Sequence, residues 1–146
     1  MDSSTKAVWV EPLDSGGPLR TEQYALIEGD KTVLAQGVAR KDPNWVVPSL
    51  WRHEFLNVLA TCTRGNVFDA HQAEGLWHRA LDLLVRAEQA VDGGAALALA
   101  VEHSITAYDA QYIALARGLG TQCVTEDRRL VRTFPDTAIL MASFCA

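Results

Sequence analysis

The stretch Gln122-Cys123-Val124-Thr125-Glu126-Asp127 constrains the fold of this chain most tightly. Its apolar centre is too short for a helix and suits a buried strand, and it turns acidic at its end. Before it, Ala107 to Arg117 carries helical apolar spacing and is closed by Gly118 or Gly120. After it, Asp127 to Thr133 reads as a short helical turn stopped by Pro135. A buried strand set between two helices belongs to a parallel sheet, because parallel strands need crossovers and those crossovers are usually helical.

The same alternation runs through most of the chain. Trp45-Val46-Val47 is a short apolar run ending at Pro48, and Ser49 opens a helix with the stripe Trp51, Phe55, Val58, Leu59 and Cys62, ended by Gly65. Asp69 and Gln72 have capping-box spacing and start a helix that buries Ala73, Leu76, Trp77, Ala80, Leu81 and Leu84. Gly93-Gly94 breaks the chain before a small-residue helix, Ala95 to Glu102, and Thr106 caps the next one. Thr137 to Met141 is a last apolar run. In the N-terminal third, Ala7 to Leu13 is the first strand, Tyr24 to Ile27 a helix fragment, and Thr32 to Arg40 a further helix. The result is an α/β chain, and sheets of this kind place their sites at the carboxyl ends of the strands.

Composition excludes several classes of protein. Apolar residues make up 49% of the 146 positions, enough for one domain with a real core and too many for a disordered chain. No apolar run approaches the roughly 20 residues of a membrane span, and no signal-peptide pattern opens the chain, so a cytoplasmic location is the expectation. Cys62, Cys123 and Cys145 form no CxxC pair and read as reduced, mostly buried thiols. His53, His71, His78 and His103 lack zinc spacing, and no GxGxxG follows the first strand. Trp9, Trp45, Trp51 and Trp77 are core or interface residues. The net charge of −5 suits nucleic-acid binding poorly unless metal or a basic partner offsets it. Arg128, Arg129 and Arg132 are the nearest approach to a basic patch, and a solvated helix face explains them equally well.

Three carboxylates stand where strands end and helices begin. Asp109 shares a helix face with Tyr112, Ile113 and Ala116, and a carboxylate on such an inward face is costly unless paired or bound to metal. Asp127 follows the strand almost directly, with Thr125 placed to bond a carboxylate or a water. Glu54 flanks the Trp51/Phe55/Val58 stripe, and Asn57 continues its polar edge. The plain alternatives are a first-turn acid, a helix cap and a solvated flank. Taken together the three make an oxygen-donor set suited to Mg²⁺ or Mn²⁺.

These residues carry a resemblance. Trp45 to Leu59, with Glu54 and Asn57, is similar to the second-acid segment of PIN-domain toxins of the VapC type. Ser104 to Ala116, around Asp109, resembles their third-acid helix, and Val124-Thr125-Glu126-Asp127-Arg128-Arg129-Leu130 resembles their Thr-x-Asp strand end. The resemblance implies a three-layer α/β fold over residues 1–146, with a central, mostly parallel sheet flanked by helices. It implies a metal-dependent endoribonuclease using Mg²⁺ or Mn²⁺, with catalytic and ligand roles for Glu54, Asp109 and Asp127 and supporting roles for Asn57 and Thr125. It also implies an RNA substrate, a cognate antitoxin and a homodimer. The first acid departs from the family pattern. Asp14-Ser15 follows the first strand and is the favoured candidate; Asp2-Ser3-Ser4 fits the motif better but has no strand before it, and a third possibility is that neither serves. A truncated or misread start would produce such a beginning. The rival reading is an inactive PIN fold that only binds a protein partner.

Overall fold

The structure, a computed structural model, describes residues 8–10 and 32–146. Its elements are β1 (Val8–Val10), α1 (Thr32–Lys41), β2 (Val47–Pro48), α2 (Trp51–Arg64), α3 (Ala70–Leu84), a 3-10 turn (Val85–Ala87), β3 (Glu88–Gln89), α4 (Gly93–His103), α5 (Ala107–Leu119), β4 (Cys123–Thr125), α6 (Arg128–Thr133), β5 (Ala138–Leu140) and α7 (Met141–Cys145). The expected helix at Tyr24 to Ile27 lies outside the described residues.

Among the described residues all the strand pairs are parallel, as the alternation of elements requires. They form two sheets, a three-stranded one in the order β1-β4-β5 and a two-stranded one of β2 and β3. The register aligns Val10 with Thr125 and Thr125 with Leu140, so all three strands of the larger sheet end at one edge.

Apolar side chains lie on both faces of the sheet. Cys123 and Ala138 join a cluster with Leu99, Tyr112, Ile113, Leu130 and Phe134. Val124 joins the other cluster, with Trp51, Phe55, Leu84 and Met141, and Ile139 packs against it. Neighbouring residues of a strand face opposite ways, so this division of consecutive positions puts β4 and β5 between two apolar layers. A strand apolar on both faces is the signature that Cys123-Val124 shows in the sequence.

Local chemistry sets most boundaries. Asp69 and Gln72 form the expected reciprocal capping box. Thr106 caps α5 by accepting from the Asp109 N–H at 3.0 Å, and Gly120 ends that helix in the left-handed region at φ 64°. Two expectations shift. Gly93-Gly94 does not break the chain but forms the first turn of α4, because the Asp92 carboxylate accepts from the Ala95 N–H and starts the helix earlier. The last apolar run is a strand for three residues only and then becomes α7.

The short strand β3 is tied to α2 by side chains. Glu88 Oε1 accepts from Trp51 Nε1 at 2.8 Å and from Arg52 Nε at 2.5 Å. The Arg52 hydrogen bond, with help from Trp51, holds the Glu88 carboxyl below its ordinary range against the opposing effect of burial. A carboxyl depressed in the folded state stabilises the fold fully above the unfolded value, about 4.3 for Glu, and loses that contribution as pH falls through the folded value. Glu88→Gln is therefore expected to unfold at a lower temperature than the parent at pH 7. The gap should close as pH falls below about 4, and a gap independent of pH, read by thermal unfolding across that range, would show that the charge of Glu88 plays no part.

Candidate metal centre

Glu54 is fixed by packing rather than by its own helix. It sits in the first turn of α2, between the buried Trp51 and Phe55, and is only 2% exposed. It is therefore not the solvated flank that its place at the stripe edge allowed. A buried carboxylate must be matched by donors or a cation. The Tyr112 hydroxyl, 58 residues further on, donates to Glu54 Oε1.

Tyr112 lies one turn beyond Asp109 on α5, and side chains three apart on a helix are neighbours. Asp109 is itself 8% exposed. The Glu54–Tyr112 bond thus ties one buried acid to the helix that carries the other. The sequence placed Tyr112 on the inward face beside Asp109 but gave no sign of its distant partner; its only signal was a tyrosine at i+3 from an inward acid.

Asp127 stands at the carboxyl end of β4, half-buried. Its carboxylate accepts from the N–H groups of Arg129 and Leu130 at 2.8 and 3.3 Å and so caps α6. Its own N–H donates to Thr125 Oγ1 at 2.9 Å, and Thr125 is fully buried. Capping and a site role are compatible, because a carboxylate offers roughly four lone-pair positions and the cap uses some of them. Arg129 Nη2 donates to the Ser104 carbonyl at 3.1 Å, tying the start of α6 to the loop that launches the Asp109 helix.

The remaining predicted residues divide as follows. Asn57 is exposed. Asp14 and Asp2 lie outside the described residues. Glu126, between Thr125 and Asp127, accepts from the Met141 N–H at 3.1 Å and starts α7. The three cysteines are free as expected, but only Cys123 is buried; Cys62 is half-buried and Cys145 exposed.

Oxygen donors of this kind fit a hard divalent cation. Among the described residues no three His, Cys, Asp or Glu side chains are grouped so as to hold a metal ion. Mg²⁺ commonly takes one or two carboxylates and keeps several waters, so a pair of buried acids is compatible with such an ion. The contact that defines the pair can be tested apart from any activity. Tyr112→Phe keeps the ring and removes the donor from a buried carboxylate, and is expected to cost about 1–3 kcal/mol in urea unfolding at neutral pH. An unchanged midpoint would mean that the bond contributes nothing.

The PIN domain family profile matches residues 7–134, which include Glu54, Asp109 and Asp127. The chain is also similar to Ribonuclease VapC3 of Pyrobaculum aerophilum, at 37% identity over 92 residues. That match takes in 62% of this chain and spans 64% of the relative's length. The family profile covers most of the chain, and on that ground the chain belongs to the PIN domain family.

Proposed function

We propose that this protein is a metal-dependent endoribonuclease that hydrolyses RNA phosphodiester bonds as the toxin of a toxin–antitoxin pair. The observation that carries the reading is the buried acid Glu54 hydrogen-bonded to Tyr112, a residue of the same helix as the buried acid Asp109. Membership of the PIN domain family and the similarity to a ribonuclease support it. The proposed ligands and catalytic residues are Glu54, Asp109 and Asp127, with Asp14 as the first acid; Asn57 and Thr125 support them. The resemblance to VapC-type toxins extends the proposal to a cognate antitoxin, a homodimer and one domain over residues 1–146. No helix among the described residues is long and apolar enough to cross a membrane.

In this reading the protein's own groups do the positioning. Glu54 and Asp109 present oxygens from a dry interior, where charge interactions are stronger than in water. Tyr112 fixes the orientation of Glu54, and Thr125 fixes the backbone from which Asp127 projects. A bound Mg²⁺ or Mn²⁺ supplies positive charge for the phosphodiester and lowers the pKa of the attacking water.

One observation favours a second reading, an inactive PIN fold that only binds a protein partner. It is the lack of a three-residue metal group among the described side chains. Cleavage assays separate the two. The purified protein is expected to cut single-stranded RNA with Mg²⁺ or Mn²⁺ and to stop in excess chelator. Asp109→Asn should lower cleavage by orders of magnitude while costing no more than about 0.3–1 kcal/mol of stability, the value of a first-turn charge. Asp127 allows a finer comparison, since Asn caps helices as well as Asp does. Asp127→Asn should keep stability and lose activity, whereas Asp127→Ala should lose activity and about 0.5–2 kcal/mol as well. Full cleavage in chelator, or by both asparagine variants, would overturn the metal-site assignment.

A further inference from the structure

We infer that Arg128 and Arg132 form a two-point clamp for the phosphates of single-stranded RNA beside the candidate metal centre, an inference that rests on the ribonuclease reading above. Helix α6 carries three arginines and no acid, and residues 128–135 contain no acid either, in a chain of net charge −5. Its apolar side is fixed by Leu130, which is 1% exposed. At about 100° per residue, Arg128 and Arg132 lie within about 40° of each other and roughly opposite Leu130. Both are exposed, and four residues of helix separate them by about 6 Å along the axis.

The third arginine is already engaged, since Arg129 donates to the Ser104 carbonyl. Two other arginines have acidic partners, Arg52 with Glu88 and Arg117 with Asp136. Among the described residues neither Arg128 nor Arg132 forms an ion pair, although two acids directly precede Arg128. The Asp127 carboxylate is turned to the N–H groups of α6, and Glu126 accepts from Met141. Two exposed guanidiniums near the strand end that bears Asp127 are thus left without a counterion among the described residues. Arginine suits this role because its planar fork matches a phosphate and remains charged at every working pH. The pair also answers the difficulty posed by the net charge, because phosphate binding depends on local rather than total charge.

The test uses the full-length protein with a fluorescein-labelled single-stranded oligouridylate. Binding is read by anisotropy in chelator, where no RNA is cut, over a series of salt concentrations. Each phosphate neutralised on a single strand contributes about 0.7 to the slope of log K against log salt. The double variant Arg128→Gln/Arg132→Gln is expected to lose about 1.4 from that slope, and each single variant about 0.7. Arg128→Lys/Arg132→Lys, which keeps the charge, should retain most of it. Arg79→Gln/Arg86→Gln, the same charge change on exposed arginines of α3 and the turn after it, should leave it unchanged. With metal present, the glutamine pair should raise KM at least about tenfold and leave kcat nearly constant, the sign of lost binding rather than lost chemistry. A parental slope in the glutamine pair, or an equal loss in the control pair, overturns the clamp while leaving the ribonuclease reading intact. A parent protein that neither binds nor cuts the RNA overturns both.

Discussion

A carboxylate removed from water must be compensated where it lies, and in this protein that requirement falls on Glu54. A donor comes from Tyr112 on α5, so α2 and α5 have to be held at a fixed spacing, with the sheet and its two apolar layers setting that spacing. Trp51 and Phe55 on either side of Glu54 are among the largest fully buried side chains. The acid is thus embedded in the packing that stabilises the domain, which is the placement a site needs if it is to keep its shape without flexible loops. Asp109 profits from the same arrangement, since the helix that carries Tyr112 also carries it.

A second constraint works on the other side of the sheet. The parallel register brings the ends of β1, β4 and β5 to one edge, and Asp127 stands at that edge as the cap of α6. Arg129 links this cap to the loop before α5. Two hydrogen bonds between elements, Tyr112 to Glu54 and Arg129 to Ser104, therefore link the surroundings of the acids to α5 and to the loop before it. Neither bond is local in sequence, and both use long side chains that reach across a junction.

The local part of this structure was legible in the residues. Asp69 with Gln72, Thr106 and Gly120 announce their helix ends because capping depends on only a few neighbouring positions. The strand Cys123–Thr125 and its following acid were equally plain. The strand β3 was not, because two residues, Glu88 and Gln89, carry no alternation, and their pairing is set by Trp51 and Arg52 some 36 residues away. The burial of Glu54 was hidden for the same reason. Helical spacing puts it at the edge of an apolar stripe, and only the approach of α5 decides that this edge is interior. The resemblance to a known family supplied the grouping of Glu54, Asp109 and Asp127 that periodicity could not. The choice between Asp14 and Asp2 falls in a part of the chain outside the described residues.

The central claim is that these buried acids make a site for a divalent cation, and direct binding of Mn²⁺ tests it most simply. Titration of the metal-free protein with Mn²⁺, followed by electron paramagnetic resonance of the free ion and by the unfolding temperature, reports occupancy without reference to any RNA. A ligand that binds only the native state raises that temperature in a saturable way. The account predicts saturable binding and a rising unfolding temperature for the parent, with both abolished or greatly weakened in Asp109→Asn. Absence of saturable binding by the parent, or equal binding by the two proteins, would contradict it.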